Sequence, residues 1–165
     1  MVRWRQLLKT EKDDRLLYFT INIVSLGSLA ITAWDFIVQQ QGVYSLRWLS
    51  LVGFMLFIPG LIIYLAARIT LGRLFSKTLM IVEGHKLITH GIYRHVRHPS
   101  YTGSILFFLG LPLLFNSVLG FAIVLPMILL VLLRIPIEEN MLLREFGEDY
   151  REYMERTKKL IPSVY

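Results

Sequence analysis

The chain has 165 residues, 55% of them hydrophobic, a formal net charge of +6 and no cysteine. Without cysteine it can hold no disulfide framework, thiolate metal centre or thiol nucleophile. Uncharged runs of about 20 helical residues are bilayer length, so the excess of basic residues is assigned to cytoplasmic loops and anionic headgroups, not to nucleic acid.

The chain opens with Arg3, Arg5, Lys9, Lys12 and Arg15, among which Trp4, Leu7 and Leu8 have helical spacing, so residues 1–15 are expected to form an interfacial helix. The first apolar run, 16–38, is broken only by Asp35 and exceeds the apolar core of a signal peptide, which makes it an uncleaved anchor. The linker 39–47 holds only Arg47, and 48–67 has no charge, giving a second span. Because the basic residues cluster ahead of the first span, the N-terminus is expected in the cytoplasm.

Residues 68–99 then form a cytoplasmic loop. Thr78–Val82 and Lys86–Thr89 are rich in β-branched and apolar residues and flank Glu83-Gly84-His85, which predicts a small β-hairpin. From Tyr101 to Leu133 there is again no charge, but 33 helical residues would be about 50 Å long against a hydrocarbon core of about 30 Å. Asn116-Ser117 and Gly120 near the middle predict a hairpin of two helices, 100–115 and 118–134; the alternative is one tilted helix kinked at Pro112 and Pro126. The expected fold is therefore a single all-α integral membrane domain of about four spans, with both termini cytoplasmic. In the tail, 135–165, Leu142, Leu143, Phe146, Tyr150, Tyr153 and Met154 keep helical period with an interruption at Gly147, the pattern of an amphipathic helix packed over the cytoplasmic mouth.

Polar chemistry meets these apolar runs at two places. The four histidines, His85, His90, His95 and His98, lie within 14 residues, but spacings of five, five and three share no face and Glu83 is the only nearby carboxylate, so no metal site is expected. Pro99 restrains His98 to extended backbone and suits the first turn of a helix, whose unpaired amides favour an anionic group beside His98, Ser100 and Tyr101. At the end of the last span, Arg134 and Glu138 share one helical face, and Pro136 withdraws the amide that would pair with the Leu132 carbonyl. Charges bordering an apolar interior usually point toward a polar cavity.

His85-Lys-Leu-Ile88, Gly91-Ile-Tyr93, Arg97-His-Pro-Ser-Tyr101 with Gly103, Arg134 with Glu138-Glu139, and Phe146-Gly-Glu-Asp-Tyr150 with Tyr153 occur in this order. Over Leu71 to Pro162 the chain thereby resembles the isoprenylcysteine carboxyl methyltransferase family, and phospholipid methyltransferases share the Arg-His-Pro and Glu-Glu elements. The resemblance implies S-adenosylmethionine as donor, leaving as S-adenosylhomocysteine, with cofactor contacts from His85, Lys86, Leu87, Ile88, Tyr93, His98, Pro99, Ser100, Tyr101 and Glu138. It implies that Arg134 holds the acceptor carboxylate and that Glu138 meets the donor's cationic end or a ribose hydroxyl. The acceptor would be lipophilic, a prenylated or lipid-like molecule entering from the bilayer. Two departures, Phe75-Ser76 for the family's Trp-Ser and Gly91-Ile-Tyr93 for Gly-Pro-Tyr, bear on substrate detail. The other readings are a phospholipid or amine N-methyltransferase, in which His98, Glu138 or Glu139 would remove a proton, a sterol-type reductase using a nicotinamide donor, and a non-enzymatic scaffold binding anionic membrane lipids.

Overall fold

Backbone amides inside hydrocarbon have no water to pair with, so apolar runs of this length close their hydrogen bonds internally as helices. The computed structural model describes residues 2–39, 48–72 and 87–162, and of residues 2–13 the backbone alone. Its helices are α1 (Val2–Gln39), α2 (Trp48–Leu71), α3 (Pro99–Leu114), α4 (Val118–Phe146) and α5 (Glu148–Arg156), with a short 3-10 turn at Gly91–Arg94. Asp14–Val38 of α1, α2 and α4 are each long and apolar enough to cross a membrane, and α3 is a shorter apolar helix.

The basic N-terminal stretch, expected as a separate interfacial helix, continues without a break into the first span. The last span likewise does not stop near Arg134: α4 runs through Pro126 and Pro136 to Phe146, and the chain breaks at Gly147 with φ 54, a left-handed conformation that glycine takes without steric cost. The β-hairpin expected over 78–89 lies outside the described residues except for Leu87–Thr89, which carry no regular structure.

Between α3 and α4 the chain turns as a tight hairpin. Asn116 adopts φ 56, which asparagine tolerates better than most residues. Ser117 then caps α4 by accepting from the Gly120 amide at 2.9 Å and donates its own hydroxyl to Asp35 of α1. The backbone amides of Phe115, Asn116 and Ser117 in this turn are all paired, to carbonyls of Leu111, Leu113 and Pro112.

The helices pack chiefly as two antiparallel pairs, α2 with α3 and α1 with α4. Lipid gives apolar helices no reason to associate, so close backbone approach and polar contacts must do so. Gly53 and Gly60 on α2 face Gly103 and Gly110 on α3, and a Cβ added to any of the four would run into the opposite backbone. Across the other seam, Ser25, Ser28 and Thr32 of α1 are buried beside Val124, Met127 and Val131 of α4, and the Ser28 hydroxyl donates to the Gly120 carbonyl at 3.0 Å. The outward faces carry Leu16, Ile23, Met55, Ile62, Leu125 and Leu129, the surface that lipid covers. Gly103→Leu should therefore abolish the cooperative melting transition in detergent, whereas Gly27→Leu, where an added Cβ meets nothing within 4 Å, should leave it in place.

At 16 residues, α3 is about 24 Å long, a few ångströms less than the hydrocarbon core. The backbone just before it is not left exposed. Arg97 and His98 donate their amides to the carbonyls of Lys158 and Lys159 at 2.8 and 2.9 Å, in register with an isolated parallel bridge between Val96 and Lys158.

Candidate active site

The antiparallel arrangement brings the N-terminal end of the α1 span, the start of α3 and the second half of α4 to the same end of the bundle. There α4 presents Arg134, Glu138 and Glu139, and α3 presents Tyr101 with His98 directly before it. The C-terminal segment closes over this end: the Thr102 hydroxyl donates to the Leu160 carbonyl at 2.8 Å, and the Tyr153 hydroxyl to the Tyr93 carbonyl at 2.6 Å.

Neighbouring glutamates on α4 have separate surroundings. Glu139 accepts from Arg97 Nε at 2.8 Å, lies 3.4 Å from His98 Nε2 and 3.4 Å from Lys159 Nζ, and its side chain is only 6% exposed. The same Arg97 guanidinium donates to the carbonyls of Met154, at 3.0 Å, and Thr157. Glu139 is thus occupied in fastening the C-terminal segment to α3 and α4. Glu138 is 21% exposed and sits 3.9 Å from His98 Nδ1, with the Tyr101 hydroxyl donating to it at 2.6 Å. A carboxylate can accept about four hydrogen bonds, so Glu138 keeps capacity to spare for a ligand.

Aromatic groups surround it. The His98 ring stacks on Tyr101 with centroids 5.6 Å apart. Burial, then the negative charge of Glu138, raises the Tyr93 hydroxyl well above the ordinary tyrosine range, against a hydrogen bond with Ser100 that lowers it. Burial also raises Tyr150, followed by the charges of Glu139 and Glu138, and pushes Tyr153 up to about 12. All three remain protonated at neutral pH, and none serves as a base. The Tyr150 hydroxyl is buried with no hydrogen-bond partner among the described residues, an uncommon cost for a polar atom.

Arg134 has a partner within the protein. Spacing predicts that it and Glu138 reach one ligand together, but its guanidinium is paired with Asp14 of α1, Nε to Oδ1 at 2.7 Å and an Nη to Oδ2 at 3.2 Å, with side chains 7% and 2% exposed. Tyr18 and Tyr101 flank it, their ring centroids 5.0 and 6.0 Å from Cζ. Because the Tyr101 hydroxyl is bound to Glu138, this tyrosine stands between the two charged residues.

Of the residues singled out in the sequence, Tyr93, His98, Pro99, Ser100, Tyr101, Arg134 and Glu138 converge at this end of the bundle, and Leu87 and Ile88 lie half-buried ahead of the 3-10 turn. His85 and Lys86 lie outside the described residues. Sequence reasoning missed Asp14, Tyr18 and Lys159, and gave Arg97 and Tyr150 no role beyond their place in the motifs. A signal for Asp14 exists: it borders the first uncharged run as Arg134 borders the last, and antiparallel helices place the two borders at one depth.

Helices and polar cluster together define an integral membrane protein with a cluster of ionisable groups at one end of an apolar bundle. The chain belongs to the phospholipid methyltransferase family, whose family model matches residues 48–149. It is 40% identical over 120 residues to protein-S-isoprenylcysteine O-methyltransferase A of Arabidopsis thaliana, covering 71% of this chain and 61% of that protein. With the human protein-S-isoprenylcysteine O-methyltransferase the identity is 31% over 122 residues, 72% of this chain and 43% of the relative. Its fold is similar to that of the eukaryotic intramembrane Ras methyltransferase ICMT, an isoprenylcysteine carboxyl methyltransferase, with a TM-score of 0.70, 29% identity, and coverage of 87% of this chain and 52% of that one. The chain thus spans between about two-fifths and three-fifths of these relatives' lengths.

Proposed function

We propose that the chain is an integral membrane methyltransferase that uses S-adenosylmethionine and methylates the carboxylate of a lipophilic, isoprenylcysteine-like acceptor at the cytoplasmic face. The observation that carries this reading is the meeting of His98, Tyr101, Arg134 and Glu138, drawn from separate helices, at one end of the bundle. Relatives named as isoprenylcysteine methyltransferases support the acceptor class, and they favour neither a nicotinamide-linked reductase nor a lipid-binding scaffold.

The residues fit the donor. Glu138 has unused acceptor capacity for an ammonium group or ribose hydroxyls, and Tyr150 is a buried hydroxyl lacking a partner near the same carboxylates. His85, Lys86, Leu87, Ile88, Tyr93, His98, Pro99, Ser100 and Tyr101 are assigned to the rest of that pocket on the family resemblance. When bound, S-adenosylmethionine supplies an electrophilic methyl group on a sulfonium. The chain's own contribution is positioning and the exclusion of water. Arg134 would hold the acceptor carboxylate through paired N–H donors and aim one oxygen. A carboxylate is already ionised at neutral pH, so no residue needs to take a proton from it. An amine acceptor would need such a base, and Glu139 is committed elsewhere. The weight of basic residues in the N-terminal part of α1, ahead of its apolar run, supports cytoplasmic termini.

The test is methyl transfer by the purified chain in nanodiscs to a farnesyl-cysteine analogue and to phosphatidylethanolamine. Transfer to the first is expected; transfer to the second alone would overturn the carboxylate assignment. S-adenosylhomocysteine should also raise the melting temperature and NADPH should not, because a ligand stabilises the state that binds it. Glu138→Gln should weaken the stabilisation by S-adenosylhomocysteine about ten-fold in apparent affinity, the scale of one lost charge-assisted contact.

A further inference from the structure

The bidentate, nearly water-free pairing of Asp14 with Arg134 sets a carboxylate on the guanidinium assigned above to a carboxylate acceptor. On that reading of Arg134, we propose that Asp14 is an internal counterpart of the acceptor: it holds Arg134 in the resting protein, yields it to the incoming acid, and retakes it from the ester product.

Charge makes the exchange selective. A buried guanidinium is costly without a partner, so Arg134 must be matched at every stage. Exchanging the Asp14 carboxylate for the acceptor's keeps one charge-assisted pair in place throughout. A neutral or cationic headgroup offers no such replacement and cannot displace Asp14. Methyl transfer forms the ester C–O bond and breaks the donor's S–C bond, so the acceptor loses its negative charge while the donor leaves as a neutral thioether. The ester oxygen is then a much weaker acceptor than a carboxylate, and Asp14 outcompetes it. Asp14 is suited to this movement because it stands at the border of the α1 span, next in sequence to Lys12, Asp13 and Arg15, a charged segment at the water side of the bundle. Arg134 remains fixed between the Tyr18 and Tyr101 rings.

The experiment compares wild type with Asp14→Asn in nanodiscs, using a farnesyl-cysteine analogue and its methyl ester. The variant should show an acceptor KM about ten-fold lower, stronger inhibition by the ester, and an unchanged donor KM. Were the pair only structural, the variant would misplace Arg134, and the acceptor KM would rise or stay the same; that result overturns the proposal. Asp14→Glu, which keeps the charge, should restore the wild-type KM. Should Asp14→Asn fail to fold, labelling of wild type decides. Asp14 should resist carbodiimide-coupled amidation in the resting protein and become modified when a sulfonate analogue of the acceptor is bound, and continued protection overturns the proposal. A wild type that methylates no carboxylate acceptor overturns the underlying reading and this inference with it, whereas an active wild type with an unaltered or weakened variant overturns the inference alone.

Discussion

Arg134→Ala is expected to abolish methyl transfer to a carboxylate acceptor and, separately, to lower stability by about 3–5 kcal/mol, the cost of leaving one member of a buried ion pair alone. Asp14 is 2% exposed and its carboxylate is paired bidentately with Arg134, so the loss falls on folding as well as on chemistry. The two effects separate in the double variant Asp14→Asn/Arg134→Gln. Removing both charges should recover most of the melting temperature without recovering methyl transfer, and binding of S-adenosylhomocysteine should persist because the donor contacts are assigned elsewhere. Recovery of transfer in the double variant would remove Arg134 from the acceptor site.

Arg97→Ala should have the second large effect, and at a different point. Its guanidinium links Glu139 to the carbonyls of Met154 and Thr157, so its loss leaves a buried carboxylate short of its main partner and two carbonyls without a donor. A destabilisation of about 3–5 kcal/mol follows from the ion pair. Its local signature is early release of the C-terminal segment, read as fast amide exchange at positions 97 and 98, whose N–H groups in the wild type donate to the carbonyls of Lys158 and Lys159. Unchanged exchange at those amides would show that the segment is fastened by other contacts.

How far the sequence discloses this structure differs by scale. Uncharged runs and their punctuation locate the four apolar helices, and Asn116-Ser117 marks the reversal between α3 and α4, because bilayer thickness and backbone hydrogen bonding leave few other solutions. Where α4 ends was less legible, since nothing in an apolar count says that the helix continues past Pro136 to Gly147. The convergence of His98 and Tyr101 with Glu138 was readable from the borders of the spans. The pairing of Asp14 with Arg134, 120 residues apart, was not, because helix spacing reports which residues share a face and not which face meets which. For the same reason Glu138 and Glu139 look equivalent as letters, yet one faces the mouth and the other is tied to Arg97. The glycines of α2 and α3 become informative only once the two helices are known to be neighbours.

The shortness of α3 reaches beyond the protein itself. As a crossing, a helix of 16 residues would oblige the lipid alongside it to pinch inward at modest elastic expense, and the helix begins at Pro99, beside His98. The leaflet should therefore dimple against the polar mouth, drawing phosphate groups and interfacial water down to the depth of Tyr101 and Glu138. In such a dimple the proposed acceptor would keep its greasy chain in hydrocarbon while its ionised head met the proposed water-borne donor at one level, so neither would have to leave its own solvent.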